Sequence, residues 1–266
     1  MRRHPSPRPH PARRLSAVAA ALALLCAGAA GAGAAPGDLD PAFGDSGVSV
    51  IDLAGTEGPA AIAQRPDGRI VIGGTRYDGD TPDGFVAQVG ATGVLDGAFG
   101  LGAGWARIDT GAPNAVSDMA LRPDGRVVVV GTTNGDGLVA RIPASGSGLD
   151  TSFGGGDGLT RLPIGGQDYL TALALQPDGR LVVGGVTYSN GVFAGATTPL
   201  QTDAVFARLG ETDGDLDVTF AGNGTFTENF GATFMEVDDV ALQADGKIVY
   251  TGLINLNNSA DMVVGR

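Results

Sequence analysis

The 266-residue chain repeats one short motif four times, and this repetition restricts its fold more than any other feature. In each copy an Asp-Gly turn is followed by an apolar run that ends in glycine. The copies lie at Ala63–Gly74, Ala120–Gly131, Ala174–Gly185 and Ala241–Gly252. Short tandem units are stable only when neighbouring copies bury each other's apolar surface. The sequence therefore predicts a stack of similar units.

Two further motifs recur in step with the first. A Leu-Asp-x-x-Phe motif starts at Leu39, Leu95, Leu149 and Leu216, and an aspartate-led strand starts at Asp83, Asp136, Asp203 and Asp261. The Leu-Asp motif precedes the turn by 27, 28, 28 and 28 residues. Only the segment between the apolar run and the aspartate-led strand varies appreciably, with offsets from 5 to 18 residues. The repeats thus span about 39–94, 95–148, 149–215 and 216–266, and their length variation falls in one loop.

Each repeat is predicted to contain four short strands. Segments such as Gly47–Leu53 and Gly224–Phe230 alternate apolar and polar residues, as half-buried strands do. The Asp-Gly turn is predicted to be a hairpin with glycine in the left-handed position. The apolar run does not alternate, so both of its faces should be covered. A four-stranded antiparallel meander of this length is typical of a propeller blade. We therefore expect an all-β fold, a β-propeller of four four-stranded antiparallel blades in residues 36–266.

The three motifs, in this order and spacing, resemble the delta-60 repeat, which occurs in tandem in exported and surface bacterial proteins. The resemblance covers Leu39 to Arg266 and departs from the pattern at Gln88, Ala221, Ala244 and Gly265. It implies a propeller fold. It implies no established chemical activity.

Residues 1–35 have the pattern of an export signal. Five arginines without an acid precede the apolar stretch Leu15–Ala30, and a small-residue cleavage site follows at Ala32-Gly33-Ala34. We therefore expect cleavage, a secreted or cell-envelope location, and no membrane span afterwards. The segment contains the only cysteine, Cys26, and both histidines.

The remaining residues exclude whole classes of function. Without His or Cys they cannot form a Ser-His-Asp triad, a thiol nucleophile, a disulfide or a zinc site of the usual kinds. Their net charge of −17 argues against nucleic acid as a partner. Asp/Gly-rich loops at 78–84 and 212–217 resemble calcium loops but lack the EF-hand pattern. We predict that these loops are turns and that the protein has no cofactor, with calcium as the alternative.

Charged residues that recur in every repeat are predicted to be structural. The hypothesis is that pairs such as Asp136 with Arg141, or Asp203 with Arg208, tie neighbouring strands or blades together by charge-assisted hydrogen bonds. The structural set consists of the turn aspartates Asp67, Asp124, Asp178 and Asp245, the strand aspartates Asp83, Asp136, Asp203 and Asp261, and the arginines Arg141 and Arg208.

The longest loop is the best functional lead in the sequence. It runs from Thr187 to Asp203, and an up-and-down meander places it beside the other connections opposite the turns. We expect ligand contacts from Tyr188, Asn190, Phe193 and Gln201 in this loop and from Tyr169 and Phe234 nearby.

The sequence favours a non-catalytic binding or scaffold module for a glycan, cell-envelope or protein ligand. The alternative is a glycan-cleaving enzyme that uses two carboxylates, with Glu57, Glu211, Glu228 and Glu236 as the non-repeated candidates. A further possibility is that the chain is half of a larger ring, which is closed by a homodimer or is split from a longer gene. The N-terminal Leu-Asp motif would then either close the ring or meet another copy.

Overall fold

The computed structural model describes residues 37–188, 201–256 and 259–266. Residues 39–266 form one compact unit. Regular structure in its described part consists of strands and two short 3₁₀ turns, at Gly100–Gly102 and Gly154–Gly156. The predicted all-β class is therefore confirmed.

The strands form four antiparallel meanders in chain order. The first sheet contains β1 (Thr56–Gln64), β2 (Ile70–Asp78), β3 (Thr81–Val89) and β4 (Trp105–Arg107). The second contains β5 (Asn114–Leu121), β6 (Val127–Thr133), β7 (Asp136–Ile142) and β8 (Leu159–Leu162). The third contains β9 (Gln167–Leu175), β10 (Leu181–Tyr188), β11 (Thr202–Leu209) and β12 (Thr225–Glu228). The last contains β13 (Phe234–Leu242), β14 (Ile248–Leu256) and β15 (Ser259–Gly265).

Each sheet is displaced by one strand from the sequence repeat, which corrects the predicted blade. The strand after a Leu-Asp motif does not open the sheet of its own repeat. Instead β4 pairs with β3 of the preceding repeat, and β8 and β12 pair with β7 and β11 in the same way. The predicted first strand, Gly47–Leu53, is not a strand and makes only one bridge, between Asp45 and Val48. Three sheets therefore have four strands and the last has three.

Backbone hydrogen bonds explain why the chain returns to the previous sheet. The Asp150 amide donates to the Arg141 carbonyl at 2.8 Å, and the Arg141 amide donates to the Gly158 carbonyl at 3.0 Å. These two bonds hold both ends of the Leu-Asp turn beside β7. Because the turn is this tight, the next strand runs antiparallel to β7 before the chain crosses to the next sheet.

The apolar core lies between consecutive sheets. One cluster of buried side chains fills each of the three spaces between neighbouring sheets. Examples are Val86 with Val129, Val130 with Val183, and Phe206 with Met235. The runs Val127–Val130 and Leu181–Val183 are completely buried because each middle sheet has a neighbour on both sides. The prediction that the apolar run is covered on both faces is confirmed for these two sheets.

The outer faces of the first and last sheets differ from the inner ones. Ile62 of the first sheet is 70% exposed, and Met262 and Val264 of the last are 76% and 65% exposed. Part of the first face is covered by Ile51 and Leu53 from the N-terminal segment. Among the described residues, the buried apolar clusters do not join the last sheet to the first.

The Asp-Gly turns have the predicted conformation. The turn glycines Gly68, Gly125, Gly179 and Gly246 have φ values of 86°, 83°, 87° and 83°, a region that favours glycine. Each turn aspartate accepts a hydrogen bond from the backbone amide two residues on, at 2.9 to 3.2 Å. Ala244 replaces proline without changing the turn, since its first position accepts most residues.

Candidate functional site

The turn end of the sheets is occupied by repeated charged residues that hold the scaffold. Arg65, which precedes the first turn, donates to the carbonyl of Gly125 in the next turn at 2.7 Å. Arg122 does the same to Gly179 at 3.2 Å, and it pairs with Glu211 at 2.7 Å. Each arginine thus connects one sheet to the next. The sequence motif contained both arginines, but their cross-sheet partners follow only from the packing.

Asp150 is the centre of one such polar network. Its carboxylate accepts from Arg141 at 2.8 Å, from Arg126 at 2.9 Å and from the Ser152 hydroxyl at 2.7 Å. The Arg141 guanidinium also donates to the carbonyls of Glu211 and Thr212 at 3.0 and 3.1 Å. The expected pair Asp136–Arg141 therefore does not form.

The equivalent network in the third sheet has the same arrangement. Asp217 accepts from Arg208 at 2.8 Å and from Arg180 at 3.1 Å. The expected pair Asp203–Arg208 does not form, because Asp203 bonds to Asn229 at 2.8 Å. The arginines bind the aspartate of the following Leu-Asp motif, which lies beside them after the chain returns.

The other repeated aspartates have varied local roles. Asp83 pairs with Arg107 at 3.0 Å and links β3 to β4. Within the described part of the chain, the side chains of Asp136 and Asp261 have no hydrogen-bond or ion-pair partner. The turn aspartates Asp67, Asp124, Asp178 and Asp245 pair with the basic residue two positions on, which is Arg69, Arg126, Arg180 or Lys247.

The opposite end of the sheets brings two of the predicted ligand-contact residues together. Tyr169 lies in β9 and Tyr188 ends β10, and their rings meet edge to face with centroids 5.7 Å apart. Both side chains are half-buried. Gln201 is exposed immediately before β11, and Phe234 is half-buried at the start of β13. Asn190 and Phe193 lie outside the described residues.

Glu236 adds a carboxylate to this end of the molecule. Burial raises the pKa of Glu236, and the nearby charge of Asp238 raises it further. Burial also raises the pKa of the Tyr188 hydroxyl, with smaller contributions from Glu236 and Tyr169. The charge of Glu236 therefore contributes to the raised pKa of the Tyr188 hydroxyl. We call Tyr169, Tyr188 and Glu236 the tyrosine cluster.

The tyrosine cluster occupies positions where the repeats differ. Counted back from the end of the first strand of each sheet, Gly58, Ala115, Tyr169 and Glu236 hold the same place. The turn end carries nearly the same charged residues in each sheet, whereas this position at the opposite end is glycine, alanine, tyrosine and glutamate in the four sheets. Positions that share a backbone role but differ in chemistry are those from which a repeat protein builds a specific site.

One half-buried acid, Asp118, lies on the first strand of the second sheet and is affected by an acid of the last sheet. Burial raises the pKa of Asp118 in β5, and the charge of Asp239 in β13 contributes to the increase. Asp118 accepts hydrogen bonds from the amides of Met119 at 2.7 Å and Leu173 at 2.8 Å. The second of these bonds links two sheets. The sequence did not indicate this pair, because the strand bulges that position both aspartates have no sequence pattern of their own.

The remaining candidate glutamates are engaged in local contacts. Glu57 accepts from the Leu53 amide at 3.3 Å. Glu228 accepts from the amides of Asn229 and Phe230, each at 3.0 Å. Glu211 pairs with Arg122. These contacts give each of the three glutamates a structural role in the scaffold.

The first Asp/Gly-rich segment contains a turn only at residues 79–80, between β2 and β3, where Asp78 pairs with Thr81, and its remaining residues belong to these two strands. In the second segment residues 212–213 lie in a turn, and Asp217 binds Arg180 and Arg208. Across residues 37–188, 201–256 and 259–266, no group of three or more His, Cys, Asp or Glu side chains is arranged to hold a metal ion. The same residues contain no helix long and apolar enough to span a bilayer.

Comparison with known proteins finds a family model in three successive segments of the chain. The model described as "Domain of unknown function (DUF5122) beta-propeller" matches residues 65–99, 122–153 and 176–220. Each matched segment runs from an Asp-Gly turn to the phenylalanine of the following Leu-Asp motif. It therefore lies between the first and the fourth strand of one sheet. No curated protein matches the chain in sequence.

Comparison with solved structures finds matches of low similarity, including the following two. One is a catalytically inactive virginiamycin B lyase from Staphylococcus aureus with quinupristin, at 14% identity and a TM-score of 0.41, over 82% of this chain and 59% of that one. The other is the Dos1 propeller, at 16% identity and a TM-score of 0.42, over 79% of this chain and 45% of that one. The chain spans less than two thirds of either. The three matched segments each lie within the span of one antiparallel sheet and are similar to a β-propeller repeat family.

Proposed function

We propose that the protein is an exported, non-catalytic β-propeller module of delta-60-like repeats that binds a glycan of the cell envelope at the tyrosine cluster. The observation that carries this proposal is the concentration of non-repeated aromatic and acidic side chains at one end of the third and last sheets. The repeated residues are engaged in holding the sheets together.

The chemistry of the cluster suits a sugar. Tyrosine rings offer a rigid apolar surface with a polar hydroxyl, which fits the mixed apolar and hydroxylated faces of a sugar ring. A carboxylate accepts strong hydrogen bonds from sugar hydroxyls. Glu236 supplies the carboxylate, and the exposed Gln201 lies immediately before β11.

A binding screen with matched variants tests the proposal. Against a panel of glycans and peptidoglycan fragments, Tyr188→Ala should weaken binding about tenfold, or about 1.4 kcal/mol. Tyr77→Ala is the control, because Tyr77 holds the same place in β2 that Tyr188 holds in β10. Unchanged affinity of the Tyr188 variant, or an equal loss in both variants, would reject the tyrosine cluster as the site.

Binding should depend on pH through Glu236. Its pKa lies above the ordinary value for a glutamate, so the carboxylate is ionised only above that raised pKa. Affinity should therefore be highest above it and should fall as the pH falls through it, because protonation removes the charge-assisted acceptor. A Glu236→Gln variant should bind more weakly at neutral pH and lose this pH dependence. Titration calorimetry at several pH values measures both.

Carboxylate-dependent glycan cleavage is the second candidate function, and the pair Asp118 and Asp239 is the observation that favours it. Such hydrolysis needs two carboxylates that flank the scissile bond, and Asp239 affects the pKa of Asp118 from a different sheet. Product analysis in the same screen separates the two functions. Binding without release of sugar supports the module, whereas sugar release that Asp239→Asn abolishes would establish the enzyme.

A further inference from the structure

Two clefts lie side by side at the turn end of the sheets, between neighbouring Asp-Gly turns. The cleft between the first and second turns has a volume of about 400 Å³ and is lined among others by Arg65 and Pro123. The cleft between the second and third turns, of about 310 Å³, is lined among others by Arg122, Gln176 and Glu211. We call this second cleft the polar cleft. It lies at the opposite end of the sheets from the tyrosine cluster.

Arg65 is a fully bonded arginine at the edge of the first cleft. Its Nε atom donates to the side chain of Gln88 at 2.5 Å. Its two terminal nitrogens donate to the carbonyls of Gly125 and Ala144 at 2.7 and 3.4 Å. Each of its three nitrogens therefore has an acceptor within the protein.

Arg122 holds the same place before the second turn, but one of its nitrogens lacks an acceptor. Its terminal nitrogens donate to the Gly179 carbonyl and to Glu211 at 3.2 and 2.7 Å. Its Nε atom is buried and has no hydrogen-bond partner in the described part of the chain, since the Asp124 carboxylate is 3.6 Å away. Arg122 is only 6% exposed, so bulk water does not replace the missing acceptor.

A difference between the repeats explains this unused donor. Arg141 stands at the place of Gln88, the residue that accepts from Arg65. A guanidinium has no acceptor atom, and that of Arg141 donates to Asp150 and to the carbonyls of residues 211 and 212. The second sheet therefore keeps the arginine before the turn and lacks the acceptor for its Nε atom.

The third repeat adds an unused acceptor to the polar cleft. Gln176 holds the place of Arg122 before the third turn. Its Oε1 atom is buried and accepts no hydrogen bond from the described residues. The polar cleft is therefore lined by residues that carry a free donor on one bordering turn and a free acceptor on the other. Because unpartnered buried polar groups cost free energy, a ligand that bonds to both groups would be favoured.

The charges around the polar cleft are balanced. The three acids that line it each pair with an arginine, Glu211 with Arg122, Asp124 with Arg126 and Asp178 with Arg180. Leu175, Pro123 and Pro177 add apolar surface to the lining. A neutral group with one acceptor and one donor therefore suits the polar cleft better than an ion does.

We propose that the polar cleft binds a main-chain peptide group of an extended peptide. Arg122 Nε donates to the carbonyl of that group, and Gln176 Oε1 accepts from its amide. In a trans peptide the carbonyl and the amide N–H point in opposite directions, which matches a donor and an acceptor that come from two different turns. The volume of the cleft lies at the lower end of the range for small-ligand sites. This site is separate from the tyrosine cluster and does not depend on glycan binding there.

Nuclear magnetic resonance of the arginine side chains tests the proposal. The Nε–H signal of Arg122, identified by its absence from Arg122→Lys, is followed during titration with acetyl-trialanine amide, a neutral peptide. The signal should shift and saturate, with a dissociation constant in the millimolar range. The Nε–H signal of Arg65 is the internal control and should not shift, because that atom already donates to Gln88.

Removal of the acceptor should weaken the same interaction. Gln176→Met keeps the length of the side chain and should weaken peptide binding about fivefold, because one hydrogen bond is lost. Gln64→Met is the matched control, since Gln64 lines only the neighbouring cleft, and it should bind as the native protein does. Circular dichroism verifies that both variants are folded.

Ester analogues of the peptide identify the group that Gln176 recognises. Each amide N–H is replaced in turn by an oxygen atom, which removes one donor. At least one analogue should bind the native protein about fivefold more weakly than the peptide does. That analogue and the peptide should bind Gln176→Met equally well.

Three outcomes would overturn the proposal. Absence of a saturable Arg122 shift would show that water alone occupies the polar cleft. Equal affinity of Gln176→Met and the native protein would exclude Gln176 as the acceptor. Tighter binding of N-acetylglucosamine, whose acetamido group carries the same donor and acceptor, would assign the cleft to a sugar instead of a peptide. Tyr188→Ala should leave peptide binding unchanged, so a failure at the polar cleft is distinguishable from a failure at the tyrosine cluster.

Discussion

Replacing Asp150 with asparagine is expected to lower the free energy of unfolding by about 3 kcal/mol, measured by urea denaturation. The variant leaves the Arg141 guanidinium, whose side chain is 5% exposed, without its main counter-charge. It also removes an acceptor for Arg126 and Ser152. Because this network joins β7 to the connection that leads to β8, the loss should destabilise the whole unit.

Asp136→Asn is the matched control for this prediction. Asp136 lies on the same strand as Arg141 but has no side-chain partner in the described part of the chain, so its replacement should change the stability by less than about 0.5 kcal/mol. Equal destabilisation by the two variants would contradict the assignment of Asp150 as the partner of Arg141.

The stability difference between the native protein and Asp150→Asn should depend on pH. Burial raises the pKa of Asp150, but hydrogen bonds from Ser152 and the charge of Arg141 outweigh it and hold the pKa below its ordinary value. The carboxylate therefore stabilises the fold above the unfolded-state pKa of about 3.9. This contribution is lost as the pH falls through the lower folded-state pKa. The difference should thus shrink below about pH 4.

Gly131→Ala is expected to destabilise the protein by about 3 kcal/mol or to prevent folding. A β-carbon at this position would lie 1.9 Å from the carbonyl oxygen of Ala115. The bulge between Val116 and Asp118 brings that backbone inward opposite the glycine. The equivalent glycines Gly185 and Gly252 would meet backbone oxygens at 2.0 and 1.9 Å. The apolar runs end in glycine because the backbone of the neighbouring strand leaves no space there for a side chain.

Gly58→Ala is the control for the effect of removing a glycine. A β-carbon on Gly58 would meet only the Thr75 carbonyl oxygen at 3.8 Å, an ordinary contact. Its replacement should leave the free energy of unfolding within about 0.5 kcal/mol of the native value. If Gly131→Ala had the same free energy of unfolding as Gly58→Ala, the close approach of the Ala115 backbone to Gly131 would be contradicted.

The sequence predicted the elements of the fold better than their grouping. The apolar runs at Val127–Val130 and Leu181–Val183 indicated strands covered on both faces, because they do not alternate. The phase of the sheets could not be read in the same way, since a tandem repeat has no intrinsic starting point. Only the hydrogen bonds that return the Leu-Asp turn to β7 determine which strand completes which sheet.

The candidate site was predicted in part, for similar reasons. Meander topology alone placed Tyr169 and Tyr188 at the same end of the molecule, where the structure brings their rings together. The proximity of Glu236 depends on how the third and last sheets stack, which has no signal in the sequence. The partners of Arg141 and Arg208 were not found because they depend on the same shift of one strand.

Burial between consecutive sheets holds them together as one cooperative unit. Hydrogen exchange after Phe153→Ala tests this cooperativity, because Phe153 is completely buried in the cluster between the second and third sheets. The cavity should cost about 3 to 5 kcal/mol and should accelerate amide exchange in β6 and β10 by the same factor. Acceleration confined to the second sheet, with β10 unchanged, would show instead that the sheets are independently stable.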